Sequence, residues 1–198
     1  MAIRSIKSWL LAFSVALGGC LLFAAAAFAE DASAAKPTKV SVFGEAEIIV
    51  PAEFKSTPAK SRIIEHEFAV KPNRDVADSD ESLTARLTFM AAGGDVDANL
   101  ERWKGQFSGG AAEDQKVEAM NLGKWQVHVA ELSGQFQERM GGGPFSGGKV
   151  VERTNHAMLG AIVVHPDGKK YFVKMVGPAE TIKQNRDAFI AMIKSIHK

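Results

Sequence analysis

The sequence is poor in cysteine: Cys20 is the only one among 198 residues. It lies in an apolar run near the N-terminus that is expected to be removed from the mature protein. Without it, the chain has no disulfide, no thiol nucleophile and no thiolate ligand for a metal. The mature fold must therefore be stable through its core alone.

The sequence also lacks an excess of either charge, with 24 basic and 23 acidic residues. Removing Arg4 and Lys7 with the N-terminal segment leaves 22 basic residues against 23 acidic ones. A near-neutral chain shows no electrostatic footprint for nucleic acid or for an anionic membrane. The 169 residues that remain suit one domain of ordinary size.

Residues 1–29 have the pattern of a secretory signal peptide. Arg4 and Lys7 precede the apolar run "WLLAFSVALGGCLLFAAAAF", and the small residues Ala27 and Ala29 come before the acidic pair "ED". A basic start, an apolar middle and small residues before the cleavage point are typical of export signals. We expect cleavage after Ala29 and a periplasmic or extracellular protein.

Two other interpretations of this segment stay open. The apolar run has about 20 residues, which is long enough to span a bilayer as an uncleaved anchor. The sequence Leu17-Gly18-Gly19-Cys20 also resembles a lipobox, with Cys20 as the lipidated residue. The apolar residues "LLFAAAAFA" after Cys20 are unusual for a lipoprotein.

The rest of the chain predicts a flexible tether over 30–44 and a single α+β domain over 45–198. Alternating apolar residues in "RIIEHEFAV", "LTARLTFMA" and four later segments predict strands, and a first short strand is expected within 40–49. One helix begins after Asp95, and another opens at Gly177-Pro178. We expect an antiparallel sheet of six to seven strands sandwiched by two main helices.

The segment "GGGPFSGGKV" resembles a phosphate loop, because Gly143 is followed five and six residues later by Gly148 and Lys149. Such a loop needs Ser or Thr for magnesium at the next position, where this chain has Val150. It also needs a helix after the glycines, whereas the following residues alternate like a strand. The sequence therefore predicts a loop between two strands, which could still contact a partner.

Metal and catalytic patterns are incomplete. His66-Glu67 begins the zinc-protease pattern HExxH, but Val70 stands where the second histidine belongs, and the segment alternates like a strand. The acidic run around Asp78 lacks the glycine that a calcium loop needs. No catalytic constellation or cofactor site is visible, which favours a binding protein over an enzyme.

Four residues are candidates for ligand binding. Asn99, Trp103 and Gln106 recur at helical spacing, so two amides border the apolar face of the first helix. They either bond to loop backbone and fix the helix on the sheet, or line a small pocket with Trp103. Lys174 lies on an apolar strand face, where it either reaches the sheet rim or offers a cation to a ligand.

A resemblance to exported bacterial proteins of unknown function rests on the segments "GGDVDANLERWKGQF", "NHAMLGAIVV", "YFVKMVGPAETI" and "AFIAMIKSI". The shared pattern consists of the following residues: Gly93, Gly94, Asn99, Trp103, Gln106, Phe107, Phe172, Lys174, Gly177 and Pro178. The order of strands and helices also resembles the Mog1/PsbP-like fold. That resemblance implies a non-enzymatic accessory or assembly factor.

Three hypotheses about function follow. The first is an exported, non-enzymatic binding or accessory domain with a protein partner, which it contacts through the glycine-rich loop or a pocket near Trp103. The second is a small-ligand or metal-dependent hydrolytic protein, with Asn99, Trp103, Lys174 and His156 around a cleft. The third is a membrane-tethered stabilising domain that retains its N-terminal segment.

Overall fold

The computed structural model describes residues 36–73, 81–140 and 149–197. The strands are β1 (Thr38–Val42), β2 (Ala46–Val50), β3 (Lys55–Thr57), β4 (His66–Val70), β5 (Ala85–Ala92), β6 (Phe107–Ser108), β7 (Gln115–Leu122), β8 (Trp125–Met140), β9 (Lys149–Val164) and β10 (Lys170–Pro178). The α-helices are α1 (Val96–Lys104), α2 (Ala179–Gln184) and α3 (Arg186–Lys194).

Eight of these strands form one antiparallel sheet in the order β3-β4-β5-β10-β9-β8-β6, with β7 paired to β8 beside β6. Strands β1 and β2 form a separate hairpin. The predicted α+β class with an antiparallel sheet is therefore confirmed. The sheet is wider than expected, and the last predicted helix is divided into α2 and α3 at Asn185, whose side chain donates to the Thr181 carbonyl at 2.9 Å.

The two faces of the sheet bury separate hydrophobic clusters. On one face, 25 buried residues join the sheet to the β1–β2 hairpin, α2 and α3. On the opposite face, α1 covers a cluster of eight buried residues: Leu100, Trp103, Phe107, Ala130, Leu132, Met158, Ile162 and Phe172. The alternation along β9 and β10 sends successive side chains to opposite clusters, as expected for a strand that is buried on both sides.

The start of the domain lies earlier than predicted. Strand β1 begins at Thr38, inside the expected tether, and pairs with β2 from Thr38↔Val50 to Val42↔Ala46. Val40 and Val42 are fully buried in the larger cluster, so residues 38–44 belong to the fold. The short strand expected within 40–49 overlaps both β1 and β2, but the predicted domain boundary at residue 45 falls after β1. The signal peptide lies outside the described residues and stays a prediction.

The long strands β8 and β9 pair from Gln126↔Val164 to Met140↔Lys149, with a register shift between Gly134 and Phe136. The residues after this shift form an arm, defined here as 135–140 of β8 and 149–155 of β9. The glycine-rich residues 141–148 join the two strands of the arm but lie outside the described residues. They are followed by a strand and not by a helix, which confirms a connection between strands and contradicts a phosphate loop.

No helix within the described ranges is long and apolar enough to cross a lipid bilayer.

Candidate functional site

A half-open groove of about 570 Å³ lies on the sheet face that carries α1. Its floor is formed by β5 and β10, where Lys174 pairs with Thr88 and Val176 pairs with Arg86. Three loop residues, Lys60, Ile63 and Ile64, form one wall, and the arm forms the opposite wall. Gln106, which follows α1, closes the end. The volume falls within the range of small-molecule sites.

Helix α1 is fixed at its start by Asp95 and Asn99. Asp95 caps the helix by accepting a hydrogen bond from the Ala98 amide at 3.0 Å, as predicted from the sequence. The buried Asn99 donates to the carbonyls of Gly93 and Asp95 at 3.1 and 2.7 Å. Asn99 therefore connects the helix to its preceding loop, and it does not line the groove.

Trp103 is fully buried and supports the end of the groove from below. Its ring packs edge-on against Phe172, with 5.1 Å between ring centroids. It also covers Gly160, where an added Cβ would lie 2.6 Å from Cζ3 of the indole. The glycine thus gives the ring room to lie on the sheet, and Trp103 reaches the groove only through its neighbour Lys174.

Lys174 lies on the floor of the groove against the ring of Trp103. Its Nζ donates to Oε1 of Gln106 at 3.2 Å and lies 5.2 Å from the centroid of Trp103. No carboxylate among the described residues forms an ion pair with it. Burial, followed by the positive charges of Arg102 and Arg86, lowers the pKa of Lys174 to about 8. The groove floor therefore carries a poorly solvated cation without a counter-ion.

Gln106 is held between α1 and the arm. Its backbone N–H donates to the backbone carbonyl of Trp103 at 3.1 Å, and its backbone carbonyl accepts from the backbone N–H of Gln137 at 2.8 Å. While Oε1 faces Lys174, no described residue accepts a hydrogen bond from its Nε2. The side-chain amide that accepts from the Lys174 ammonium therefore keeps its own N–H groups without a described acceptor.

Arg86 lies in the groove lining, but its guanidinium is already paired with a carboxylate. Its Nε and Nη2 donate to the two carboxylate oxygens of Glu67 at 2.7 and 2.9 Å. The buried Glu67 also accepts from the Lys60 amide at 2.9 Å. The Arg86 hydrogen bonds lower the pKa of Glu67 despite its burial, so the carboxylate stays ionised and ties the loop wall to the floor.

The arm supplies one apolar and several charged side chains. Phe136 stacks on the ring of His156, with 6.4 Å between centroids. His156 directs Nδ1 to the Thr154 carbonyl at 2.9 Å, which holds the ring as part of the wall. Arg153 pairs with Glu138 at 3.0 Å, whereas Arg139 is exposed and makes no ion pair within the described residues.

The structure brings two of the four predicted residues, Gln106 and Lys174, into the groove, and Trp103 lies directly behind them. Their proposed role in binding stays a prediction. The sequence analysis did not identify the other four cations of the groove: Lys60, Arg86, Arg139 and Arg153. No sequence signal marks them, because distant segments bring them together through the pairing of β8 with β9 and the path of the loop between β3 and β4.

A second hollow of about 270 Å³ lies beside α2. Its lining holds three acidic and three basic side chains, so their charges balance, and two of them, Arg186 and Glu131, bind one another at 2.5 Å. Within the described ranges, no three histidine, cysteine or acidic side chains are placed to hold a metal ion. The groove beside α1 differs from this hollow in its charge, because its lining holds five basic side chains against one acidic side chain.

Comparison with known proteins adds a fold likeness at low similarity. The solution structure of cyanobacterial PsbP (CyanoP) from Synechocystis sp. PCC 6803 matches with a TM-score of 0.46 and 12% sequence identity. The match covers 81% of this chain and 91% of that one. No family model matches the sequence, and no curated protein matches it. These comparisons assign the chain to no family.

Proposed function

We propose that this chain is an exported, non-enzymatic binding domain that takes an anionic ligand into the groove beside α1. The observation that carries the proposal is the ammonium of Lys174, partly buried in the groove floor. Among the described residues, its side-chain partners are an amide oxygen and an indole face. Removing a cation from water without a counter-ion is costly, and an incoming anion would offset that cost.

The surroundings of Lys174 support the same function. The groove lining contains five cationic side chains, Lys60, Arg86, Arg139, Arg153 and Lys174, against one carboxylate, Glu138. Glu67 pairs with Arg86 and also interacts with the charge of Lys60, and Glu138 pairs with Arg153. Arg139 and Lys174 remain without an acidic partner among the described residues. Such a lining attracts anions and repels cations.

The test is a titration of the full chain with sodium acetate, sodium hexanoate and sodium phosphate at constant ionic strength. Trp103 serves as a reporter, because an anion that reaches Lys174 alters the charge held over the indole ring. We expect saturable binding of at least one anion, and its loss in Lys174→Met. Lys170→Met is the matched control, since Lys170 lies on the same strand outside the groove. Unsaturable responses that are equal in all three proteins would contradict the proposal.

Export is proposed from the N-terminal pattern and has a separate test. We expect the intact mass of the protein isolated from the exporting cell to correspond to a chain that starts at Glu30. A mass that includes residues 1–29 would show a retained anchor, and an added lipid at Cys20 would show a lipoprotein.

A further inference from the structure

We infer that the ligand of the groove is a small organic acid, with its carboxylate between Lys174 and Gln106 and an apolar body along Val176 towards Phe136. This inference rests on the proposed function, since it specifies the anion that the groove takes. It follows from which groups at the closed end are free, and from where the apolar side chains lie.

The closed end suits a single carboxylate. Lys174 is the cation on the floor that is available to a ligand there, because the guanidinium of Arg86 already donates to both carboxylate oxygens of Glu67. A carboxylate has two oxygens, which match the Lys174 ammonium and the unused Nε2 of Gln106. A phosphate would gain most from a guanidinium that donates two parallel hydrogen bonds to it. The guanidinium on the floor, that of Arg86, already donates to Glu67.

Apolar side chains continue from this end towards the open side. Val176 follows Lys174 on the same face of β10, and Phe136 lines the arm wall opposite. Ile63 on the loop wall is 70% exposed, the highest value among the exposed large hydrophobic residues of the described chain. An apolar body lying between these walls would remove all three side chains from water.

The experiment compares matched probes on the full chain by calorimetry. Hexanoate, acetate and hexanol separate the contribution of the carboxylate from that of the apolar body, and inorganic phosphate tests a different anion. Each fully buried methylene contributes about fourfold in affinity, so in a half-open groove we expect hexanoate to bind about tenfold more tightly than acetate. Hexanol should bind at least about tenfold more weakly than hexanoate, because it leaves the ammonium of Lys174 unpaired.

Two variants locate the parts of the ligand. Val176→Thr keeps the side-chain shape but adds a hydroxyl, and should weaken hexanoate several-fold while leaving acetate unchanged. Gln106→Met should weaken both acids to a similar extent. Unchanged thermal unfolding of each variant would confirm that a lost affinity comes from the groove and not from misfolding.

The outcomes separate the two proposals. Acetate or phosphate binding as tightly as hexanoate, with loss in Lys174→Met, would overturn the organic-acid inference and leave the anion-binding function standing. Capture of a glutamate-rich peptide without hexanoate binding would have the same consequence and indicate a protein ligand. If no anion binds, both proposals fail.

Discussion

The ammonium of Lys174 lies 5.2 Å from the ring centroid of Trp103, and the nearest acceptor is a neutral amide oxygen of Gln106 at 3.2 Å. The cation is therefore held by a ring face and a dipole, both weaker partners than a carboxylate. A fold that needed this lysine for stability would be expected to supply a counter-ion. In the proposed function, the incoming anion supplies this counter-ion.

Replacing Lys174 by Met should therefore stabilise the free protein. Its lowered pKa means that the charged side chain opposes folding at neutral pH, and its removal should raise the free energy of unfolding by about 1–3 kcal/mol. Urea unfolding of Lys174→Met and of the control Lys170→Met measures this. A clear loss of stability in Lys174→Met would show that the lysine is structural.

The pH dependence of binding follows from the same group. Since the pKa of Lys174 in the folded protein is about 8, its charge is complete well below that pH and disappears above it. Anion affinity should stay level at lower pH and fall by about tenfold per pH unit above about pH 8. Near that pH, binding should also take up protons, which calorimetry in two buffers of different ionisation enthalpy detects. Lys174→Arg should keep its affinity at high pH, and an identical decline in that variant would assign the titration to another group.

Gly160→Ala should displace Trp103. The added Cβ would lie 2.6 Å from the indole, well inside contact distance, and the backbone on both sides is fixed in the sheet. We expect a loss of about 1–3 kcal/mol in the free energy of unfolding and an altered tryptophan emission. Gly93→Ala is the control, because no atom lies within 4 Å of its added Cβ. Equal stability of the two variants would mean that the sheet shifts to accommodate the added methyl group beside the indole.

Glu67→Gln should weaken the loop wall and free Arg86. The carboxylate binds both the guanidinium and the Lys60 amide, so its neutralisation should cost about 1–3 kcal/mol of stability at neutral pH. The pKa of Glu67 is lowered in the folded state, so its stabilisation is present above the ordinary value of 4.5 and lost as the pH falls below it. Acid unfolding should accordingly be shallower in the variant. Anion affinity should rise, and an unchanged affinity would place Arg86 outside the reach of the ligand.

Asn99→Ala separates a structural amide from a binding one. The loss of two hydrogen bonds to backbone carbonyls should destabilise the domain by about 1–2 kcal/mol and leave anion affinity unchanged. Asp97→Ala, on the exposed side of the same helical turn, should change stability by no more than about 0.5 kcal/mol. A loss of anion affinity in Asn99→Ala at unchanged stability would show that Asn99 takes part in binding.

Much of the fold could be predicted because the signals were local. The cap at Asp95, the apolar helix face with Trp103, and the apolar strand face around Lys174 are each set by neighbouring residues, and each agrees with the structure. The division of the last helix at Asn185 was missed because the break depends on a distant contact. There the side chain also donates to the carbonyl of Lys71 at 3.0 Å.

The groove was predicted only in part, because some of its residues are marked by local sequence patterns and others are brought together only by the tertiary structure. Lys174 and Gln106 stood out because each was polar at a position where the local pattern predicts an apolar side chain. Lys60 and Arg139 lie in ordinary polar segments, and only the tertiary arrangement places them on opposite walls. The ion pair of Glu67 with Arg86 was likewise hidden, since its two members are 19 residues apart.

The unequal division of the core has an evolutionary consequence. The face opposite the groove buries 25 residues, while the face that carries it buries eight. Most of the apolar burial that opposes unfolding therefore lies on the far side of the sheet. Side chains of the groove can therefore be substituted at little cost to the stability of the fold. Descendants of this chain could acquire new ligand preferences while the fold stays the same.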